Sequence, residues 1–376
     1  MTMLPAETRP AVLEIQLDAI VANWRLLSAR HPWGAVGAVV KADAYGLGAS
    51  KVAPALHAAG CRHFFTALLD EALALRPLLP EAMLPGGMLA GGMLAVLDDL
   101  IAGTERIFRE QAIVPVLGSL PEIACWRAEA RRAGAPLEAI LHIDTGMARL
   151  GLTATEVAAL ADDRSLLDGI RIRTVMTHLV AAECPGDPIN ERQRQRFATL
   201  AQKLPPAPRS FANSSGIFLG PRFASALARP GAALYGINPT PGQPNPMRPV
   251  LRLRGRVLAL RDLAPGETVG YNATWQATRP SRIATVGIGY ADGWLRSLSN
   301  RGAAFFDGRR LPLVGRVSMD LTTYDATGLT SLAAGDWLEL IGPAQPLASV
   351  AEAAGTNEYE ILTALGRRYR RVWLGA

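Results

Sequence analysis

From about Leu13 to Gly236 short apolar runs alternate with segments of helical period, and this rhythm constrains the fold more than any other feature. Ala35 to Val40 reads as a buried strand, followed by a helix from about Ala49 to Ala59. Arg62 to Thr66 then reads as a strand and Asp70 to Leu79 as a helix. Further strands are expected at Ala112 to Val116, Leu137 to Ile143, Ile170 to Thr177 and Arg209 to Ala212. Helices fit Leu120 to Ala133, Thr155 to Ala161 and Ile189 to Leu204. Repeated β-then-α units build a parallel sheet, and this many in one domain favour a closed TIM-like (β/α)8 barrel.

Beyond a proline-rich stretch, Pro239 to Pro249, the texture changes. Val250 to Leu260, Arg282 to Ile288, Ala303 to Phe306, Leu311 to Val317 and Trp337 to Ile341 read as strands separated by turn residues. A closing helix is expected over Tyr359 to Arg368. The chain is therefore expected to be α/β, with the barrel at 13–240 and a mostly β domain built from 1–12 plus 241–376. The tandem Gly86 to Ala95, GGMLAGGMLA, reads as a strand end with a glycine-rich loop, because no G-x-G-x-x-G pattern supports a phosphate loop.

A length of 376 residues suits two domains, and 49% hydrophobic residues can fill their cores. The longest apolar runs are too short for a membrane span, and Met1 to Ala11 lacks a signal-peptide layout. A cytoplasmic protein without a membrane partner is expected. Cys61, Cys125 and Cys184 fit neither a disulfide framework nor a metal site, so reduced, mostly buried thiols are expected. The net charge of +6 is spread out. Its densest run, Arg192-Gln-Arg-Gln-Arg196, distributes charge around a helix without aromatic interleaving, which argues against nucleic acid.

Nearly all of the positive charge is arginine; the lysines are Lys41, Lys51 and Lys203. Arginine cannot replace lysine where the nitrogen must lose its proton and attack a carbonyl. Lys41 ends an apolar strand, on the side of a β/α barrel where active sites form. On position alone, a strand-end lysine is more often merely solvated.

The surrounding residues change that reading. Lys41-Ala-Asp-Ala-Tyr45-Gly-Leu-Gly resembles the lysine motif of alanine racemases. In order along the chain, seven further segments resemble that family's signatures: His142 to Gly151, Met176-Thr-His178, Ala212-Asn-Ser214, Arg229 to Gly236, Val269 to Trp275, Gly289 to Gly293 and Gly315 to Asp320. Together they cover about residues 13 to 370.

The resemblance implies a racemase using pyridoxal 5′-phosphate and interconverting L- and D-alanine by a two-base mechanism. It implies that Lys41 holds the cofactor and serves one face of the substrate, while Tyr271 serves the other. Read alone, Tyr271 would be a half-buried strand aromatic; in the family this tyrosine comes from the partner subunit, which implies a homodimer with shared sites. A phenol needs a cationic neighbour to act as a base at neutral pH. Arg229 is implied to face the pyridine nitrogen. Tyr45, Ser214, Gly231, Ala232 and Tyr359 are implied as phosphate contacts, and His178 as packing near the ring. Arg149, also near Tyr271, and the backbone of Met319 are implied to take the substrate carboxylate.

One position departs from the pattern. Many family members carry, where His142 stands, a lysine modified to a carbamate that holds the arginine seven residues on. Histidine forms no such anion, so Arg149 must be oriented otherwise. A chloride or water-bridged contact is expected, and Arg149 held only by protein carboxylates would contradict it. Small pyridoxal-phosphate carrier proteins share the barrel but lack the second domain. Basic amino-acid decarboxylases share the architecture, yet the Gly-Tyr-Asn-Ala-Thr-Trp and Ser-Met-Asp segments favour racemisation. A serine or broader racemase stays open.

Overall fold

The structure, a computed structural model, describes residues 9–79, 91–98 and 100–375. It divides into two compact units: Ala19–Arg248, and the residues up to Asp18 taken with those from Pro249 onward.

In the first unit, parallel strands run in the order Ala38–Val39, His63–Thr66, Met93–Val96, Val114–Leu117, Leu137–His142, Ile170–Met176, Arg209–Ser210. Leu227–Ala228 pairs in parallel with Ala35–Val36, and the Arg229 N–H donates to Ala212 O at 2.8 Å. These links close the ring at eight strands, because Ala35–Val36 runs on into Ala38–Val39. The sequence reads Ala35 to Val40 as one strand. It is split at Gly37, where a Cβ would stand only 2.8 Å from His63 O. Inside the barrel pack Val39, Phe65, Met93, Ala95, Val114, Val116, Ile140, Met176 and Leu227. Strands covered on both faces need no polar alternation, which accounts for their near-continuous apolar runs.

Local chemistry sets the surrounding helices. Leu120–Ala133 starts at Ser119, whose side chain accepts from the Glu122 N–H, carries Pro121 in its first turn, and stops at left-handed Gly134, φ 65°. Ala154–Asp162 begins with a Thr153/Glu156 capping box. The arginine-rich helix is Pro188–Ala201; Arg192 and Arg196 are exposed and Arg194 pairs with Glu191 at 2.6 Å, a solvated face.

In the second unit, Ala11–Gln16 lies between Leu251–Leu263, antiparallel, and Arg370–Leu374, parallel. Leu251–Leu263 also pairs with Trp337–Ile341 and Ser281–Val286.

Several expected elements differ. Leu311 to Val317 is not a strand: the strand is Arg309–Pro312, and left-handed Gly315, φ 78°, bends the chain after it. The closing helix is shorter, Glu358–Ala364, and the chain then returns as the edge strand Arg370–Leu374. The helix Leu347–Ala354 was not anticipated. Cys61 alone is buried, its thiol pushed up to about 12 chiefly by burial; Cys125 is partly exposed and Cys184 exposed, so the expectation of mostly buried thiols fails. Of the tandem Gly86 to Ala95, residues 86–90 lie outside the described residues, and Met93–Val96 is a strand. Among the described residues no helix is long and apolar enough to cross a membrane.

Candidate active site

Lys41 stands directly after the strand Ala38–Val39, at the carboxyl end of the barrel. The backbone before it is tied on both sides: Val39 N–H donates to Pro230 O at 2.9 Å and Val40 N–H to Phe65 O at 2.8 Å. The Tyr235 hydroxyl donates to Val39 O at 2.9 Å from a fully buried position. After Lys41 the chain makes a left-handed turn, with φ of 52°, 54°, 55° and 54° at Ala42, Asp43, Ala44 and Tyr45. Each non-glycine residue held there costs about 1–2 kcal/mol. Fixed partners offset that cost: Asp43 Oδ1 accepts from the Ala49 N–H at 2.7 Å, and Glu71 Oε1 from the Ala42 N–H at 2.6 Å.

The neighbouring strand end carries Arg229, 4% exposed, whose guanidinium donates to Ser210 Oγ and, at 2.7 Å, to Thr177 O. Burial alone draws its pKa down to about 10, so it keeps its proton at neutral pH. Ser214 Oγ accepts from the Gly231 N–H at 3.1 Å and the Ala233 N–H at 3.2 Å, and Ala232 opens the short turn Ala232–Tyr235. A Cβ on Gly231 would collide with the Tyr45 hydroxyl, so any side chain there would push the phenol aside. The Tyr45 and Tyr235 rings lie 4.6 Å apart between centroids. Serine, glycine backbone and phenol thus gather at one place, the kinds of hydrogen-bonding group a phosphate needs. A planar ring nitrogen would meet a cation that does not give up its proton.

His178, Arg149 and His142 join this group. Burial first, then the positive charges of Arg229, Arg149 and Lys41, lower the His178 imidazole to about 3. Burial and then Arg229 likewise lower His142 to about 4, with Asp144 opposing. Both rings are neutral in the folded protein. Asp144 shapes the loop leading to Arg149 by accepting from the N–H groups of Gly146, Met147 and Ala148 at 2.9, 2.9 and 3.2 Å. Among the described residues no carboxylate pairs with Arg149.

The depressed His142 has a pH consequence. Unfolded, it takes up a proton near its ordinary 6.5; folded, only near about 4. Across that interval the unfolded state binds more protons, so His142 makes stability fall as pH drops from 6.5 to 4, by on the order of 3 kcal/mol. Below the folded value both states are protonated and the loss stops. Denaturant unfolding at pH 7 and pH 4.5 should show a smaller acid loss for His142→Gln than for the parent; an equal loss would remove His142 from the account.

Tyr271, Met319 and Tyr359 belong to the second unit. Tyr271 opens the turn Tyr271–Ala273 after left-handed Gly270, φ 73°, and is 68% exposed. It is no half-buried strand aromatic, because the turn lifts its ring off the sheet. Met319, 54% exposed, sits on a loop held when Tyr290 N–H donates to Ser318 O and Ala291 N–H to Met319 O, both at 3.0 Å. A Cβ on Gly315 would stand 2.9 Å from Val269 O, so the segments leading to Met319 and Tyr271 run against each other. Tyr359 lies on the helix Glu358–Ala364. Ser214 leads into a single tight turn, Ser215–Leu219.

Sequence reasoning did not single out Ser210, Thr177, Tyr235, Asp144 or Glu71. Thr177, Asp144 and Tyr235 lie inside quoted signatures, and Glu71 follows the expected helix start as a capping glutamate does, so these four carried a usable signal and Ser210 did not.

Residues 15–239 match the family model described as alanine racemase, N-terminal domain, and residues 250–373 the one described as alanine racemase, C-terminal domain. The chain belongs to the alanine racemase family. An alanine racemase from Acidiphilium cryptum is 55% identical over 96% of this chain and 98% of its own length. One from Brucella abortus is 46% identical over 96% and 93%. Among solved structures, the alanine racemase of Bartonella henselae with covalently bound pyridoxal phosphate superposes with a TM-score of 0.92, at 41% identity, over 97% of this chain and 99% of that one. The biosynthetic alanine racemase of Pseudomonas aeruginosa gives 0.87 at 34% identity, over 98% and 100%. The barrel and the β-rich unit, expected from the alternation and the change of texture, are thus the fold of this family.

Proposed function

We propose that this chain interconverts L- and D-alanine, with pyridoxal 5′-phosphate held on Lys41. The observation that carries the reading is the convergence of Lys41, buried Arg229 and Arg149 on a neutral His178 at the barrel mouth, beside the Ser214–Gly231 cradle. Bound there, the cofactor supplies a conjugated ring that spreads the negative charge left when the α-proton departs. Lys41 Nζ holds or releases that proton on one face and Tyr271 Oη on the other, so a proton taken by one is replaced from the other and the carbon inverts. Arg229 donates to the ring nitrogen and keeps its own proton, which limits transamination. Ser214, Gly231, Ala232, Tyr45 and Tyr359 hold the phosphate, and His178 packs near the ring. Arg149 and the Met319 backbone take the substrate carboxylate.

Tyr271 and Met319 serve the Lys41 of a second copy, in a homodimer. Their exposure, 68% and 54%, with Tyr290 at 44%, leaves an aromatic face suited to covering by another chain. Mixing subunits carrying Lys41→Ala with subunits carrying Tyr271→Phe tests this. A mixed dimer regains one site with both groups intact, so activity should return; continued inactivity despite subunit exchange would place both groups on one chain.

The deciding experiment is a chiral assay of purified protein with L-alanine, L-serine and L-lysine in parallel. Alanine should invert fastest. Cofactor binding without inversion of any of the three would make the protein a carrier.

A further inference from the structure

We propose that Glu71 is a positioning residue for Lys41. Lys41 is followed by a run of four left-handed residues, Ala42 to Tyr45, a conformation that alanine, aspartate and tyrosine hold only at a cost. Within the turn, Gly46 N–H donates to Ala42 O at 2.7 Å and Gly48 N–H to Asp43 O at 2.8 Å. Those bonds secure its later residues. The first N–H after Lys41, that of Ala42, goes to Glu71 Oε1 at 2.6 Å.

The other Glu71 oxygen, Oε2, accepts from the N–H groups of Ala67 at 2.9 Å and Leu68 at 3.2 Å, in the loop after the neighbouring strand His63–Thr66. One carboxylate therefore ties the peptide after Lys41 to the next β/α unit, and both oxygens are engaged. Charge-assisted bonds of this kind are short and directional. A glutamine would present an NH₂ to one set of N–H donors, and an alanine would release both.

The arrangement recurs around the mouth. Glu122 accepts from the Leu100 N–H at 3.0 Å and the Gly118 N–H at 2.7 Å. Glu156 accepts from the Leu120 N–H at 3.3 Å and the Thr153 N–H at 2.9 Å. Each third-position glutamate of a helix (Leu69–Leu75, Leu120–Ala133, Ala154–Asp162) joins its own loop to that of the preceding unit. At Glu71 the preceding loop is the one that begins at Lys41.

The effect on turnover rests on the reading of Lys41 given above; the effect on the backbone does not. Glu71→Gln is compared with Glu129→Gln, which removes a buried partner of Arg109 and Arg132 on an outer helix. In the cofactor-free protein, hydrogen exchange at the Ala42 amide should rise about tenfold or more in Glu71→Gln and stay unchanged in Glu129→Gln. With pyridoxal phosphate bound, kcat per bound cofactor should fall about tenfold or more in Glu71→Gln, with KM for alanine within about twofold, because misplacement is costly to the proton transfer. The pH profile of kcat should shift with it, and Glu71→Asp, which keeps both oxygens, should recover part of the rate. Unchanged exchange at Ala42 would overturn the proposal. So would a lower melting temperature in both variants without a change in kcat. If the parent protein showed no lysine-bound cofactor, the reading of Lys41 would fail while the exchange result still judged Glu71.

Discussion

Lys41→Ala should abolish the absorbance of the lysine-bound cofactor near the visible edge and lower alanine racemisation by roughly four orders of magnitude or more. The chain holds two other lysines, and both are exposed, Lys51 on the helix Ala49–Ala58 and Lys203 in the turn after Pro188–Ala201. Neither can replace an amine that stands at a strand end beside Arg229 and His178. The substitution should not unfold the protein. Among the described residues Lys41 makes no ion pair that its loss would orphan, and the following turn is held through backbone groups and the Asp43 and Glu71 carboxylates. The measurement is an absorption spectrum after dialysis together with the chiral assay. Absorbance retained after dialysis would remove Lys41 as the attachment point.

Tyr271→Phe should keep the cofactor spectrum and lose most interconversion, by about 10²–10⁴-fold, the usual contribution of a positioned acid–base group. The ring stays and only the hydroxyl leaves, at a position 68% exposed, so folding of the chain should be unaffected. With Lys41 alone, a proton can leave and return on one face. In deuterated water the variant should therefore still exchange the α-proton of one enantiomer without inverting it. Interconversion at the parental rate in both directions would end the two-face scheme.

Much of the barrel was legible because its cause is local and repeated. Helices such as Leu120–Ala133 and Ala154–Asp162 declare their starts through Ser119 and Thr153. Strands such as Val114–Leu117 declare themselves as apolar runs buried on both faces. The β-rich unit was less legible. Arg370–Leu374 carries two arginines and a tryptophan with no alternation, and becomes a strand only because Ala11–Gln16 offers it an edge from the other end of the sequence. No window of sequence contains that pairing.

The same division holds for Lys41. Sequence alone determined which amine could be nucleophilic, since it stands among three lysines in an arginine-rich chain, ends an apolar strand and carries a family motif. It also supplied the order of the companion segments and singled out Tyr271 and Met319 for the roles proposed above. Only the tertiary structure decided that Ala42 to Tyr45 turn left-handed, that Glu71 and Asp43 hold them there, and that Arg229 is anchored by Ser210 and Thr177. Side-chain chemistry is written residue by residue, so a motif can announce it. Hydrogen bonds such as that from Ala42 to Glu71 and that from Arg229 to Thr177 join groups 29 and 52 residues apart, and they exist only once the barrel brings those strand ends together.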